Sequence, residues 1–279
     1  MQIINNIKEL RLELKKHMGK TIGFVPTMGF LHAGHQSLIV RATLETDVVV
    51  TSIFVNPLQF GANEDFSTYP RDVQRDSQLC KESGTHYLFI PDYQDIIGDN
   101  LYSYVNIKNL DQHLCGSRRP GHFQGVCTIV SKLFNIVQPT HAYFGQKDIQ
   151  QVKIIQKMVE DLNFPIDIIV CPTSRDDDGL ALSSRNSYLN ANERLVAKIV
   201  PDTLNYVKDQ LQEGITESAQ LIELASNKIA VVKEARIDYM QIVDSMNLQP
   251  VESINQECVL AMAIFIGKTR LIDNIALQG

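Results

Sequence analysis

Along the first two-thirds of the chain, apolar residues alternate between short unbroken runs and spaced stripes. Ile4, Ile7, Leu10 and Leu14 recur at helical spacing, and residues 21–26 read as a short strand ending in Pro26. Residues 33–45 read as a helix with Leu38, Ile39 and Ala42 on its inner face. The run 47–54 (DVVVTSIF) is almost continuously apolar, as a strand buried on both faces should be. A helix is expected from near Pro70, a good first-turn residue, to Gly84, a natural stop. A strand at 86–90 is cut off by Pro91, helices are expected at 124–137 and 148–162, and strands at 141–144 and 166–170. Repeated strand–helix–strand units imply a parallel sheet covered on both faces.

The texture changes after Pro172. Residues 174–190 are polar and rich in turn formers. Amphipathic stretches at 191–213 and 217–232 follow, then strand-like segments near 237–243, 257–266 and 270–276. Helices followed by strands imply a small α+β domain, so the division expected is 1–172 and 173–279.

Composition narrows the function classes. With 279 residues, 44% apolar and 21% charged, the chain has the makeup of a globular protein with a real core. Apolar runs such as 259–266 are too short to span a bilayer, and the charged N-terminal stretch lacks a signal peptide's apolar centre. A net charge of −6 argues against broad nucleic-acid or polybasic membrane binding but allows a local anion site. Five widely spaced cysteines with no C-x-x-C point away from disulfides and structural zinc, and toward a reducing cytoplasm. No G-x-G-x-x-G follows an expected strand, and Gly267-Lys268-Thr269 reads as a hairpin turn rather than a phosphate loop.

The strongest chemical signal is PTMGFLHAGH, residues 26–35. A strand feeds a glycine turn, and His32 and His35 sit three apart at a helix start, on one face. Outward backbone N–H groups and the helix dipole favour an anion there, and imidazoles can donate to a phosphate as its charge grows. Surface histidines and a zinc site are the competing readings, although no third ligand lies nearby. Ser183-Ser184-Arg185 offers hydroxyls and a guanidinium to outer phosphates. Asn56 and Gln59, after the apolar run, offer neutral amides suited to a carboxylate or hydroxyls at the carboxyl end of a parallel strand. In the run 143–151, Lys147 would face phosphates, Asp148 the ribose or magnesium, and Gln151 would lie one turn inward. Arg118 and Arg119, in RRPGHFQG, are equally readable as ligands or as ordinary loop arginines.

The H-x-x-H and Ser-Ser-Arg pair resembles the HIGH and KMSKS-type elements of the nucleotidyltransferase superfamily. PTMGFLHAGH, SIFVNPLQFG, DFSTYPRD, RRPGHFQGV, YFGQKDIQQ and GLALSSRNSYL, in this order, resemble the pantoate–β-alanine ligase family more narrowly. Gln146 and Leu182 depart from that family's usual GEKD and MSSR. The resemblance implies a Rossmann-like domain, a C-terminal α+β lid domain and a cytoplasmic homodimer. It also implies ATP-dependent joining of (R)-pantoate to β-alanine through pantoyl adenylate, without nucleic acid or membrane. ATP would be held by Met28, Gly29, Phe30, Leu31, His32, Ala33, Gly34 and His35 at the first motif. Gly145, Gln146, Lys147, Asp148, Ser174, Leu182, Ser183, Ser184 and Arg185 would complete the ATP set. His35, His32 and Lys147 would be catalytic. Pantoate would meet Gln59, Gln151 and Asn56, and β-alanine Gln59. Mg2+ would ride on the ATP phosphates, with Asp148 as the nearest side-chain candidate. Gly179 and the mutually repelling Asp176, Asp177 and Asp178 imply a loop that is mobile until ATP orders it. A nucleotidylyltransferase and a nucleotide sensor are the alternative functions.

Overall fold

The structure, a computed structural model, describes residues 1–62 and 64–278. Internal contacts divide them into two compact units. The first comprises Met1–Lys108, Arg119–Gln146 and Ile154–Pro172. The second comprises Asn109–Arg118, Lys147–Lys153 and Thr173–Gly279.

In chain order the elements begin with β1 (Gln2–Ile4), α1 (Ile7–Lys15), β2 (Ile22–Thr27), α2 (Ala33–Glu45) and β3 (Val48–Ile53). Then come α3 (Val73–Glu82), β4 (Tyr87–Phe89), α4 (Tyr93–Ile96), α5 (Leu114–Arg118) and α6 (His122–Val137). They continue with β5 (His141–Gly145), α7 (Ile149–Asp161) and β6 (Asp167–Cys171). The C-terminal part holds α8 (Ala191–Val196), α9 (Ile199–Gln212), α10 (Ser218–Ala230), β7 (Ala235–Asp244), β8 (Cys258–Ile266) and β9 (Thr269–Leu277).

The first unit is built on a parallel six-stranded sheet in the order β1-β4-β3-β2-β5-β6. Every residue of β3 is buried, so both faces of the sheet's centre are covered. The chain moves outward one way through β2, β3 and β4, and the other way through β5 and β6. The order therefore reverses between β2 and β5, and ligands in such sheets bind beyond the carboxyl ends of the strands at that reversal. Those ends are Thr27 and Gly145, which lead directly into the H-x-x-H and Gln-Lys-Asp segments.

Ile4 belongs to β1 rather than to the first helix. It is buried at the sheet edge, and Asn6 caps α1 by accepting from the Glu9 N–H. Likewise α3 starts after Asp72, whose carboxylate accepts the Arg75 N–H, and not at Pro70. A local side-chain acceptor decides both boundaries over the apolar spacing.

The second unit carries the antiparallel sheet β7-β8-β9. Its core joins Leu204, Val207, Leu221 and Ala225 of α9 and α10 to Leu260, Met262 and Ile264 of β8. The long helix expected over 191–213 is two helices, with Asn190 and Glu193 forming a capping box for the first. No helix among the described residues is long and apolar enough to cross a membrane.

Candidate active site

The H-x-x-H segment is held from within the first unit. Thr27, buried at the end of β2, donates to the Ser52 carbonyl (2.7 Å) and accepts the Gly29 N–H (3.2 Å). Gly29 has φ +83°, and a Cβ there would press on Ile53 and Asp76, so only glycine suits the turn. Phe30 follows at φ +50°. Asp76 of α3, 1% exposed, accepts the N–H groups of Phe30 and Leu31, each at 2.7 Å. Burial pushes the Asp76 carboxyl above the usual carboxylate range, while the two backbone donors and Arg75 pull against it.

The histidines cap the helix themselves. His32 is the N-cap of α2, its Nδ1 accepting the Gly34 N–H at 3.1 Å, while His35 Nδ1 accepts the His32 N–H at 3.3 Å. Accepting at Nδ1 leaves each neutral ring with its proton on Nε2. The two rings lie 4.1 Å apart between centroids. The N–H groups of Gly29, Phe30, Leu31, His32 and Gly34 are thus already taken by side chains. This corrects the expectation of outward-pointing backbone donors: an anion here would meet the imidazole Nε2–H groups instead.

Asn56, Gln59 and Met28 come together in the same unit. Asn56, 3% exposed, donates to Gln59 Oε1 (3.0 Å) and to the Gly125 carbonyl (3.1 Å), and accepts the Leu58 N–H. Gln59 Nε2 faces Met28 Sδ at 3.1 Å. Gly125 of α6 lets the helix lie against this loop, since a Cβ there would overlap the Leu58 carbonyl.

The other expected ligand residues belong to the second unit. Lys147 and Asp148 lie in a short 3-10 turn, half-buried, and the Lys147 carbonyl accepts from Asn274 Nδ2 at 2.9 Å. Gln151 is half-buried in the first turn of α7. Ser174 and Leu182 are bonded through the backbone, Leu182 N–H to Ser174 carbonyl at 2.9 Å. Ser183 caps the 3-10 turn Ser184–Tyr188 by accepting the Arg185 N–H (3.2 Å), and Ser184 is buried.

The acidic loop is not left to repel itself. Arg194 of α8 binds Asp178 through both of its Nη atoms (2.6 and 3.0 Å) and Asp176 at 2.8 Å. Arg175 forks onto Asp273 of β9 (2.6 and 3.0 Å), which is 2% exposed. Backbone bonds from Asp176 to Leu180 and from Gly179 to Asp176 close the turn. Residues 175–181 are therefore tied to α8 and β9 by ion pairs and turn bonds, so the three acids that repel one another in the sequence have basic partners at Asp176 and Asp178. The Arg194 hydrogen bond holds the Asp178 carboxyl below its usual range. A depressed carboxylate pKa adds stability above the unfolded value and loses it as pH falls through the folded one. Amide-exchange protection at Asp176 and Gly179 should persist from neutrality down to about pH 4. It should collapse at pH 7 in Arg194→Ala, whereas protection lost equally in the intact protein would show that the clasp does not hold the loop.

A family model described as pantoate-beta-alanine ligase matches residues 2–276. The chain belongs to the pantoate–β-alanine ligase family. It is 50% identical to a pantothenate synthetase of Clostridium botulinum (strain Kyoto / Type A2) over 280 residues, covering 100% of both chains. The crystal structure of pantothenate synthetase from Thermus thermophilus superposes with a TM-score of 0.95 at 40% identity, covering 100% of each chain. A pantoate-beta-alanine ligase from Francisella tularensis, described as complexed with beta-gamma ATP and beta-alanine, matches at TM-score 0.82 and 38% identity. It covers 99% of this chain and 97% of that one. The chain is accordingly an ATP-using ligase of pantothenate formation.

Three supporting residues escaped the sequence reading. Asp76, Asp273 and Asn274 are buried polar residues within regular elements, which is their one sequence signal: Asp273-Asn274 interrupts an apolar strand. Asp76→Ala should lower unfolding free energy by about 2–4 kcal/mol, since each unmatched buried amide costs roughly 1–3 kcal/mol. Asp76→Asn, which keeps one acceptor oxygen, should recover about half of that loss. Urea midpoints check both, and an unchanged midpoint for the alanine variant would mean the turn is held elsewhere.

Proposed function

We propose that this ligase works in two steps, with the paired imidazoles serving the first. The carboxylate of (R)-pantoate attacks the α-phosphorus of ATP, giving pantoyl adenylate and pyrophosphate. The amine of β-alanine then attacks the acyl carbon, giving pantothenate and AMP. A free carboxylate is a poor acyl donor, and adenylation supplies the leaving group. The protein's part is orientation and charge neutralisation, and no protein nucleophile is required.

The observation that carries this reading is the His32–His35 pair, fixed through Nδ1 so that each neutral ring carries its proton on Nε2, the atom that would donate toward phosphate. His35 is assigned the proton and the growing α-phosphate charge, with His32 beside it. Lys147 neutralises phosphate charge in transfer. Gly145 and Asp148 hold the ribose, Ser174 lies at adenine, and Ser183, Ser184 and Arg185 hold the outer phosphates. Gln59, Asn56 and Gln151 hold pantoate, and Gln59 orients β-alanine.

Among the described residues no three His, Cys, Asp or Glu side chains converge. Mg2+ needs few protein ligands in triphosphate sites, where phosphates and water supply most of its shell. We assign Asp148 as the carboxylate that would join it, and when bound the ion neutralises triphosphate charge. The family resemblance also assigns a cytoplasmic homodimer, which sedimentation of the purified chain would test.

Oxygen bookkeeping tests the intermediate. With (R)-pantoate labelled by 18O in its carboxylate, one labelled oxygen should appear in AMP. Label confined to pantothenate, or found in pyrophosphate, would exclude the adenylate route.

A further inference from the structure

Gln59 is gripped at both ends. Its side chain meets Asn56 and Met28, as described, and its backbone carbonyl accepts two further hydrogen bonds, from His122 Nδ1 (2.8 Å) and Arg119 Nη2 (3.1 Å). A carbonyl only accepts, so His122 carries its proton on Nδ1. Its Nε2 then faces Arg119 Nη1 at 3.1 Å, and a guanidinium only donates, so Nε2 is the acceptor. His122 is thereby the neutral Nδ1–H tautomer. Arg119 is in turn forked onto Glu64, Nε to Oε1 at 2.6 Å and Nη2 to Oε2 at 2.5 Å. Burial alone would raise the Glu64 carboxyl, but hydrogen bonding to Arg119 and its charge outweigh this and hold it low.

The arrangement is costly to build. His122 is 8% exposed, and the Arg119 side chain 13%. Burying a guanidinium requires a paired carboxylate and satisfied donors, and Glu64, Gln59 and His122 supply them. All these groups lie in the first unit and converge on one carbonyl of a short 3-10 turn, Pro57–Gln59, which α6 already supports through Gly125. A loop that needed only to pack would not require two donors on one carbonyl and a tautomer set from both sides.

We propose that Glu64, Arg119 and His122 are positioning residues for the reaction, acting through Gln59 to set the side-chain amide that meets pantoate. This rests on the assignment of Gln59 to pantoate made above. None of the three is assigned a contact with substrate. Arg119 and His122 fix the backbone of residue 59, Asn56 fixes the amide rotation, and Glu64 fixes Arg119. Such support determines whether an amide is held to within a fraction of an ångström, and a misplacement of about 1 Å from outside the chemistry can cost on the order of 100-fold.

Steady-state kinetics of Gln59→Ala, His122→Ala, His122→Asn and the double variant Gln59→Ala/His122→Ala test it, with thermal unfolding as the check on folding. Gln59→Ala and His122→Ala should each lower kcat/KM for pantoate by roughly 10- to 100-fold, with KM for ATP unchanged. His122→Asn places an amide N–H near the lost Nδ1 donor and should restore most of the loss. The double variant should be little worse than Gln59→Ala alone, because both changes act through one group. Arg119→Lys, which keeps the charge but loses the fork, should show the same pantoate-selective loss even if Arg119→Ala does not fold. Equal losses for ATP and pantoate, or full additivity with Gln59→Ala, would overturn the positioning role while leaving Gln59 at pantoate. A Gln59→Ala variant with normal pantoate kinetics would overturn the assignment of Gln59 and the inference with it.

Discussion

Lys147→Ala should form pantoyl adenylate roughly 100- to 1000-fold more slowly than the intact enzyme, the usual cost of one electrostatic transition-state contact. The fold should survive the change. Lys147 is half-buried in a short turn, and what the structure uses is its backbone carbonyl, held by Asn274. Among the described residues its ammonium makes no ion pair or hydrogen bond. The side chain therefore contributes little to stability, and a rate loss with an unchanged unfolding midpoint would locate its role in the chemistry. Rapid-quench measurement of adenylate from ATP and pantoate gives the number directly. A variant with near-normal adenylation would remove Lys147 from the reaction.

His35→Ala should separate the two half-reactions. Proton transfer by a positioned side chain contributes roughly 100- to 10,000-fold, and only adenylation builds a pentavalent phosphorus for His35 to serve. Adenylate formation should fall within that range, whereas supplied pantoyl adenylate should still react with β-alanine at close to the normal rate. Because His35 Nδ1 also accepts the His32 N–H, alanine releases part of the helix cap as well as the Nε2 donor. His35→Asn, which can keep an acceptor near Nδ1 while losing Nε2, isolates the chemical part and should be nearly as defective in adenylation. Equal losses in both half-reactions would assign His35 to acyl transfer or to structure alone.

The parts of this molecule that were legible in the sequence are those governed by local pattern. The bounds of α2 follow from the apolar stripe through Leu38, Ile39 and Ala42, and β3 follows from an apolar run that only a strand covered on both faces can bury. The hairpin at Gly267 was legible too, because Met262 stands where a phosphate loop needs its first glycine and the turn lies between two apolar strands; the structure gives Gly267 a φ of +55° between β8 and β9. What escaped depends on partners distant along the chain. Asp76 can be recognised as the acceptor for Phe30 and Leu31 only once α3 is packed beside the turn. The acids 176–178 look repulsive in sequence, and become a clasp only because Arg194 and Asp273 reach Asp176, Asp178 and Arg175. Histidine is not among the preferred N-caps, so the sequence does not disclose that the imidazoles accept the His32 and Gly34 N–H groups, while Thr27 and Asp76 take those of Gly29, Phe30 and Leu31. Arg119 was undecided between ligand and loop, and the structure turns it inward onto Gln59 and Glu64, beside His122.

Activation of pantoate by adenylation releases pyrophosphate, which can be measured on the purified protein given ATP and Mg2+, with (R)-pantoate added or withheld, and with no β-alanine. The expected result is a burst of pyrophosphate that requires pantoate and is limited to about one equivalent per site, followed by steady turnover to AMP and pantothenate once β-alanine is supplied. No pyrophosphate despite ATP binding would mark a nucleotide sensor. Pyrophosphate that is indifferent to pantoate but appears with a phosphorylated acceptor would mark a nucleotidylyltransferase, and either result would exclude activation of pantoate by adenylation.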